Sequence, residues 1–345
     1  GLKNYFEQFA YQNTVGDDLW QALENASDQP VLKIMNKWIS QPGLPLVSAQ
    51  RSGDKLTLTQ QRFFIGEHQP DNTLWPIPLF ASNSAVGPLF NKSEETFVAN
   101  GPTVLNQDLS AHFITNYDES SRTEILKRAS ENNLPTLDKI SLLHDMTLLA
   151  RAGRLSSAEL LPLAQSFQQE GNEKVYTMAI MALNELRKFV DGKDDLKSKL
   201  KQFSRDFAWP VHQQLGWDEI EGESDDERER RTSALALVLY GEDTAALTEA
   251  KRRYESGIEN LSPQVRSLIL SSVVSHFETT ELVAKLLETY RTTSSSDLKL
   301  DITLGLTSTR SPETISQILE LLKDNKTIRP QDASRWFVYL IRNSY

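Results

Sequence analysis

Residues 311–322 read SPETISQILELL. Ser311 directly before Pro312 is typical of a helix start, because Ser can cap free N–H groups and Pro fits the first helical position. The apolar residues of this stretch are Ile315, Ile318, Leu319 and Leu322. They follow the i, i+3, i+4, i+7 spacing that places apolar side chains on one face of a helix. The stretch therefore predicts a helix that packs along one side.

The same pattern extends from about residue 118 to residue 345. Ser262 precedes Pro263 in the same way, before a similar apolar spacing formed by Val265, Leu268, Ile269 and Val273. Capping-box spacing predicts two further starts, which are Ser121 with Glu124 and Ser156 with Glu159. We expect roughly twelve helices of about 12–18 residues with short connections, as in stacked antiparallel helix pairs. Because no strict repeat is evident, we predict an irregular, superhelical (HEAT/armadillo-like) α domain.

Two polar stretches interrupt this helical zone. Residues 219–229 read EIEGESDDERE, and residues 292–296 read TTSSS. Both predict solvated loops. The acidic stretch could also attract cationic peptide termini, although charge runs usually only keep a surface solvated.

Residues 44–117 have the pattern of β structure. Leu56 and Leu58 alternate with threonines, which is the period of a half-buried strand. Gly53-Asp54 lies between two such runs and predicts a hairpin turn. The segment Trp75–Leu79 contains two prolines that cannot donate ladder hydrogen bonds, so we expect an edge strand or an extended segment. Several short strands separated by turns predict a small β-sandwich.

Residues 1–43 predict two short helices, around 17–25 and 30–40, which end at Pro42-Gly43. Two helices of this length have little core of their own. We therefore interpret them as part of a larger unit.

Composition restricts the class of protein. The chain has 345 residues, 39% hydrophobic and 24% charged, which is typical of a folded globular protein of two or three domains. No apolar run approaches the length of a membrane helix, and no signal peptide is visible, although the chain begins with Gly1 rather than Met. A net charge of −10 argues against a nucleic-acid partner. The absence of cysteine excludes disulfides and fits a reducing, cytoplasmic setting.

The histidine spacing argues against a zinc site within this chain. A helix presents two His ligands on one face at spacing i, i+4, as in H-E-x-x-H. The histidines are His68, His112, His144, His212 and His276, and no two are four apart. Neither a G-x-S-x-G elbow nor a phosphate-binding Gly-rich loop is present. We therefore assign no catalytic and no metal-binding residue.

His144-Asp145 is the most suggestive pair of polar residues. It could form an oriented base. Consecutive residues do not face each other on a helix, and the flanking Leu142, Leu143 and Met146 indicate a core-facing helix. We therefore favour a structural role in the helix.

The first 47 residues, GLKNYFEQFAYQNTVGDDLWQALENASDQPVLKIMNKWISQPGLPLV, resemble the end of the catalytic domain in the aminopeptidase N family of zinc peptidases. The positions that match the family pattern are Leu2, Tyr5, Asn13, Asp18, Leu19, Trp20, Met35, Trp38, Gln41, Gly43 and Pro45. Four later segments are similar to family phrases: Leu74–Pro78, His112–Asp118, Asp145–Arg154 and Ile328–Asp332. Ile114 replaces an Arg that is usual in the second of these, so any role of that Arg is in doubt.

The resemblance implies the C-terminal part of an enzyme that removes N-terminal amino acids from peptides. Residues 1–43 would be the last helices of a thermolysin-like catalytic domain, 44–117 a β-sandwich, and 118–345 a helical domain cut short at its end. The zinc ligands, the general-base Glu and the transition-state Tyr would lie in the missing upstream domain. The helical domain would form a bowl that encloses the active site and controls peptide access.

A free-standing α-solenoid scaffold for partner proteins is the alternative. A third possibility is a hydrolase with an unrecognised site. Under the first interpretation the helical domain would hold peptide tails, and a tail carboxylate is best bound by Arg or Lys. Arg329 and Arg335, beside a predicted helix start, are our candidates, although they could instead be ordinary surface residues paired with Asp332.

Overall fold

The computed structural model describes residues 1–69 and 71–343. Within them the chain forms fifteen α-helices and six strands. The prediction of a mainly helical chain with a small β region is therefore confirmed. None of the helices in the described ranges is long and apolar enough to cross a membrane.

The N-terminal segment forms three helices rather than the two predicted. They are α1 (Leu2–Gln8), α2 (Gly16–Ser27) and α3 (Val31–Ser40). The helix that the sequence analysis did not predict, α1, is only seven residues long and has no buried residue. Leu2, Tyr5 and Phe6 have the i, i+3, i+4 spacing of a helix, so the sequence did carry a signal for it.

Six strands follow: β1 (Pro45–Ser52), β2 (Lys55–Arg62), β3 (Ile77–Pro78), β4 (Leu89–Phe90), β5 (Glu94–Val98) and β6 (Ile114–Tyr117). One sheet has the order β5-β2-β1-β6, and β3 pairs with β4 in a second, two-stranded sheet. In the first sheet β6 is parallel to β1, and the other pairs are antiparallel.

Twelve α-helices occupy the described residues after β6. They are α4 (Glu119–Ser130), α5 (Thr136–Arg151), α6 (Leu160–Gln165), α7 (Glu173–Val190), α8 (Asp194–Leu215), α9 (Asp225–Tyr240), α10 (Thr244–Glu255), α11 (Pro263–Phe277), α12 (Thr280–Thr292), α13 (Ser296–Leu306), α14 (Pro312–Leu321) and α15 (Pro330–Arg342). Their lengths run from 6 to 22 residues, a wider range than predicted. The two final residues of the predicted helical domain lie outside the described residues.

The chain divides into two compact units. Unit 1 comprises Gly1–Phe167 and Met178–Leu186, and unit 2 comprises Gln168–Thr177 and the chain from Arg187 onward. The helix α7 thus contributes to both.

The strands of unit 1 follow the predicted pattern. β1 and β2 form a hairpin that turns at Gly53-Asp54, where Gly53 has a positive φ of 62°. Leu56 and Leu58 point inward on β2 and are buried. The proline-containing segment contributes the two-residue strand β3 to the two-stranded sheet. Each strand of a two-stranded sheet is an edge strand, which matches the prediction. An edge position tolerates Pro78, which has no N–H to donate.

Two family-motif residues join α3 to the β region. The Trp38 indole Nε1 donates to the Pro76 carbonyl at 2.9 Å, and the Gln41 amide donates to the Leu74 carbonyl at 3.2 Å. Trp75, between those carbonyls, is fully buried, and its ring centroid lies 6.2 Å from that of Trp38. These contacts hold the N-terminal helices of unit 1 against its strands.

The Ser-Pro helix starts are confirmed, whereas one predicted capping box is wrong. Ser311 accepts a hydrogen bond from the backbone of Thr314 and precedes Pro312 at the start of α14. The helix α4 begins at Glu119, and its cap is Asp118 rather than Ser121. The Asp118 carboxylate accepts from the Ser121 backbone and also from the Arg51 backbone of β1, both at 2.9 Å. An aspartate that satisfies donors in two elements is a better cap here than a serine that reaches one.

The acidic stretch 219–229 was predicted as a solvated loop, and this is only partly correct. Its second half forms the first turn of α9, where Ser224 and Glu227 make a capping box. The Glu223 side chain is 1% exposed and forms an ion pair with Arg231, which is equally buried. The distribution of charge along the sequence could not show this pairing, because it requires the loop to fold back onto α9.

Candidate functional site

The two arginines singled out from the sequence line one small cavity of unit 2. Arg329 directly precedes the first residue of α15, Arg335 lies in the second turn of that helix, and both are exposed. Together with Lys299 of α13 they border a cavity of about 90 Å³, which we call the Arg329 cavity. Its lining residues are Tyr290, Ser296, Lys299, Leu300, Thr303, Arg329, Gln331, Asp332, Arg335 and Trp336.

Aromatic packing fixes the base of the Arg329 cavity. Trp336 and Tyr290 are buried, with ring centroids 5.3 Å apart in an edge-to-face arrangement. The Lys299 ammonium lies 5.3 Å from the centroid of the Tyr290 ring, within the range of a cation–π contact. Three cations and one carboxylate, Asp332, thus line a small recess. Such a recess suits a small anionic group.

A larger cavity of about 500 Å³ lies elsewhere in unit 2, and we call it the α7–α15 cavity. Its lining residues are Arg187, Lys188, Val190, Asp191, Lys197, Tyr240, Ser275, Leu304, Thr307, Ser308, Tyr339, Arg342 and Asn343. Its volume is within the range of roughly 300–1,000 Å³ that is usual for ligand pockets. The sequence reasoning named none of these residues.

Four of these side chains are cationic, and Asp191 is the single carboxylate among them. The Arg187 guanidinium carbon lies 3.5 Å from the centroid of the Tyr240 ring, which holds the cation against an aromatic face. The chain as a whole carries a net charge of −10, so this lining has the opposite sign to the protein average.

Side-chain to backbone hydrogen bonds hold the far wall of the α7–α15 cavity. The Asn343 amide donates to the carbonyls of Thr307 and Thr309, at 3.0 and 2.6 Å. The Ser275 hydroxyl donates to the Ser308 carbonyl at 2.6 Å. These bonds join α11, the end of α13 and the end of α15, so the wall keeps its shape.

His144 and Asp145 form a joint between a strand and a helix in unit 1. The Asp145 carboxylate accepts from the Thr115 backbone of β6 at 2.9 Å, and His144 Nδ1 lies 3.3 Å from the same group. Burial raises the pKa of Asp145, and the hydrogen bonds from His144 and Thr115 oppose that rise only in part. The hydrogen bond to Asp145 raises the pKa of His144. His144 itself is largely exposed, and Asp145 is the residue that joins α5 to β6, whereas the sequence suggested only helix filling.

The residues present do not fit the zinc ion that the family resemblance implies. In the described part of the chain, no three His, Asp or Glu side chains come together as a metal site would require.

Sequence reasoning missed the α7–α15 cavity because its walls come from distant segments. Arg187-Lys188 at the end of an apolar helix is visible in the sequence, but it indicates only a helix C-terminus. The distribution of charge along the sequence does not place Lys197 and Arg342 beside that pair.

The features together define a mainly helical region with a small β region and cationic cavities. Residues 103–345 match the family described as ERAP1-like C-terminal domain. The chain belongs to this family and corresponds to a C-terminal portion of enzymes of the aminopeptidase N family.

Individual relatives agree with this assignment. Aminopeptidase N of Lactobacillus helveticus is 33% identical over 359 residues, covering 100% of this chain and 42% of that protein. Aminopeptidase N of Lactococcus lactis subsp. lactis is 32% identical over 362 residues, with the same coverage. Glutamyl aminopeptidase of Bos taurus is 26% identical over 366 residues, covering 100% of the chain and 38% of that protein. The chain thus spans less than half the length of these relatives.

Proposed function

We propose that this chain is the non-catalytic C-terminal region of a zinc-dependent aminopeptidase that removes N-terminal amino acids from peptides. The names of relatives that match the whole chain support the reaction class. The zinc ion and the catalytic residues would reside in the enzyme's own catalytic domain, which is the chief partner of this region. A cytoplasmic location is part of the proposal, and the cysteine-free composition fits it.

The proposed domains are 1–43, 44–117 and 118–345. In this scheme the first is the end of the thermolysin-like catalytic domain, the second a β-sandwich, and the third a superhelical bowl that encloses the active site. All six strands of the described residues lie between Pro45 and Tyr117, which supports the second boundary. Several large apolar side chains of the first segment are exposed and would contact the catalytic domain: Leu2, Phe6, Val15 and Ile39.

In this proposal the helical domain controls access and holds the tail of the peptide while its N-terminal residue is cleaved. The observation that carries the proposal is the cationic lining of the Arg329 cavity in an acidic chain. A peptide tail always ends in a carboxylate, whatever its sequence. Arg329 and Arg335 can bind that group by charge-assisted hydrogen bonds without reading the side chains.

The experiment compares two substrates of the full enzyme. Arg329→Ala and Arg335→Ala are each assayed for kcat/KM on a ten-residue peptide and on a single-residue chromogenic amide. A residue that binds the tail affects only the long peptide. We expect a loss of about fivefold for each variant, since a partly exposed ion pair contributes about 1 kcal/mol.

Arg291→Ala is the matched control, because Arg291 is an exposed arginine near the end of α12 that does not line either cavity. It should leave both substrates unchanged. Equal losses on both substrates, or no loss on either, would remove Arg329 and Arg335 from the proposal.

A further inference from the structure

The Arg329 cavity holds more positive charge than its own residues neutralise. Its cations are Lys299, Arg329 and Arg335, and Asp332 is the one carboxylate of its lining. None of the three cationic groups forms an ion pair or a hydrogen bond with the residues that the structure describes. Two positive charges of the lining are therefore left without a counter-charge.

The ammonium group of Lys299 is oriented without being satisfied. It lies 5.3 Å from the centroid of the Tyr290 ring. A cation–π contact attracts the charge but accepts none of the three N–H bonds of an ammonium group in the usual way. Those donors remain available to an acceptor in the cavity.

The Tyr290 hydroxyl is a buried donor on the same wall. Tyr290 is 3% exposed, and its hydroxyl oxygen accepts the indole N–H of Trp336 at 3.4 Å. Its own O–H has no acceptor among the described residues. A buried donor without an acceptor costs free energy, so an oxygen placed in the cavity would stabilise this side chain.

The start of α15 adds to the attraction for an anion. No side chain caps this helix, which begins at Pro330, and Gln331 of its first turn lines the cavity. The first N–H groups of a helix lack acceptors within the helix, and the helix dipole favours negative charge at that end.

The volume of the cavity limits the size of its ligand. About 90 Å³ is the space of roughly three water molecules in the liquid, so only a compact group can be enclosed. A terminal carboxylate offers one charge and two oxygens. A phosphate group carries about −1.5 to −2 charges at pH 7 and three strong acceptor oxygens on one phosphorus atom. Phosphate therefore matches the charge and the donors of this cavity better than a carboxylate does.

We propose that the Arg329 cavity binds a phosphate dianion, which competes there with the carboxylate of a peptide tail. Lys299 and the two arginines bind its oxygens by charge-assisted hydrogen bonds, and the Tyr290 hydroxyl donates to a further oxygen. The effect on activity rests on the proposed function, because it requires that Arg329 and Arg335 hold the tail. Phosphate should thus slow the cleavage of long peptides and spare short substrates.

The first test is kinetic and uses the full enzyme. A ten-residue peptide and a single-residue chromogenic amide are assayed with increasing sodium phosphate, and with NaCl at the same ionic strength. We expect phosphate to raise KM for the peptide with kcat unchanged, as competition requires, and to leave the amide unaffected. Phosphate bound at the catalytic zinc would instead inhibit both substrates.

The second test measures binding directly by isothermal titration calorimetry of the full enzyme with phosphate. Lys299→Gln should raise the Kd of phosphate about fivefold, and Lys299→Arg, which keeps the charge, should retain most of the affinity. Lys285→Gln is the matched control. The Lys285 ammonium also lies over a tyrosine ring, 5.6 Å from the centroid of Tyr254, and Lys285 does not line the cavity. This variant should bind phosphate as the natural enzyme does.

The same dianion could come from free phosphate or from a small phosphomonoester. Repeating the titration with glycerol 3-phosphate separates the two sources. Tighter binding of the ester assigns the cavity to phosphomonoesters, and tighter binding of phosphate assigns it to the free ion.

The outcomes separate this inference from the proposed function. If neither compound binds, or if Lys299→Gln and Lys285→Gln change the Kd equally, the cavity is not a phosphate site. Phosphate that binds without raising KM for the ten-residue peptide overturns the competition. The proposed function fails on a different result, which is that Arg329→Ala and Arg335→Ala affect the peptide and the amide alike.

Discussion

The Gln168 side-chain amide donates a hydrogen bond to the carbonyl oxygen of Asp206 at 2.9 Å. Asp206 is four residues before Pro210, which lies inside α8. A proline has no N–H, so it leaves the carbonyl four residues earlier without its helical donor. Gln168 supplies the missing donor, and it also donates to the Phe207 carbonyl at 3.1 Å. This contact explains how α8 continues for 22 residues with a proline in its interior.

Replacing Gln168 by Met should therefore destabilise unit 2. Methionine keeps the length of the side chain but removes both hydrogen bonds to the carbonyls of α8. We expect a loss of about 1 kcal/mol in the free energy of unfolding, which is typical of hydrogen bonds to partly buried acceptors. Urea unfolding followed by tryptophan fluorescence measures it, since Trp209 lies beside Pro210.

The control is the same substitution in a Pro210→Ala background. There the new N–H at position 210 can bond to Asp206, so Gln168→Met should cost less than in the natural sequence. Gln202→Met, at an exposed position of α8, should be nearly neutral. Equal costs of Gln168→Met in both backgrounds would show that Gln168 acts in some other way.

Glu242 should make the stability of unit 2 sensitive to acid. Its carboxylate lies 2.8 Å from the Lys201 ammonium and 2.7 Å from the Arg310 guanidinium. Burial alone would raise the pKa of Glu242, but the hydrogen bonds from Lys201 and Arg310 outweigh it and lower the pKa to about 2. A carboxyl group with a lowered pKa stabilises the fold above its unfolded pKa, and this contribution is lost as the pH falls towards 2.

Glu242→Gln should accordingly be about 1 kcal/mol less stable than the natural protein at pH 7, because a third of the side chain is exposed and the charges are screened. The difference should shrink below about pH 4.5. Thermal unfolding of both proteins across this pH range measures it. A difference that stays constant with pH would mean that the carboxylate charge is not responsible.

Asp145 should behave in the opposite sense. Burial raises the pKa of Asp145, so its ionised form is disfavoured in the fold, and stability is lost as the pH rises through the folded pKa. Asp145→Asn keeps an acceptor for the Thr115 backbone and removes the charge. The variant should gain stability relative to the natural protein as the pH rises above about 4.

Asp145→Ala is the comparison, because it leaves the Thr115 N–H buried without its acceptor. It should be destabilised by about 1–3 kcal/mol across the same range. If Asp145→Asn and Asp145→Ala were equally unstable at pH 7, the hydrogen bond to Thr115 would not be the role of this residue.

The 345-residue protein itself should hold no stoichiometric zinc and show no aminopeptidase activity. The reason is the histidine spacing in the sequence, which offers no helical i, i+4 pair, together with the absence of cysteine. The protein is incubated with zinc and dialysed against zinc-free buffer, and its metal content is then measured. A peptidase assay with and without zinc checks the second statement. Zinc retained at a one-to-one ratio would contradict the first.

The sequence by itself determined the type and place of most elements. Two local features predicted α14: the apolar spacing around Ile315 and Ile318, and the Ser-Pro pair before it. Both are recognisable from residues within one or two helical turns. The alternation at Leu56 and Leu58 defined β2 in the same way, since a strand repeats every two residues. The competing donors around Asp118 were not visible, because one of them comes from β1. The sequence therefore predicted α4 correctly as a helix but placed its cap at Ser121 instead of Asp118.

Tertiary structure alone decided which polar groups meet. Glu223 looked like any other member of an acidic run until the fold placed it on Arg231. Asp145 looked like helix filling until β6 brought the Thr115 backbone to it. The walls of the α7–α15 cavity come from segments far apart in the chain, as do Gln168 and the carbonyl that it satisfies. Local propensity depends on neighbours within a few residues, whereas ion pairs and cavities depend on which helix faces pack together, and many sequences with the same apolar pattern would pack their polar groups differently.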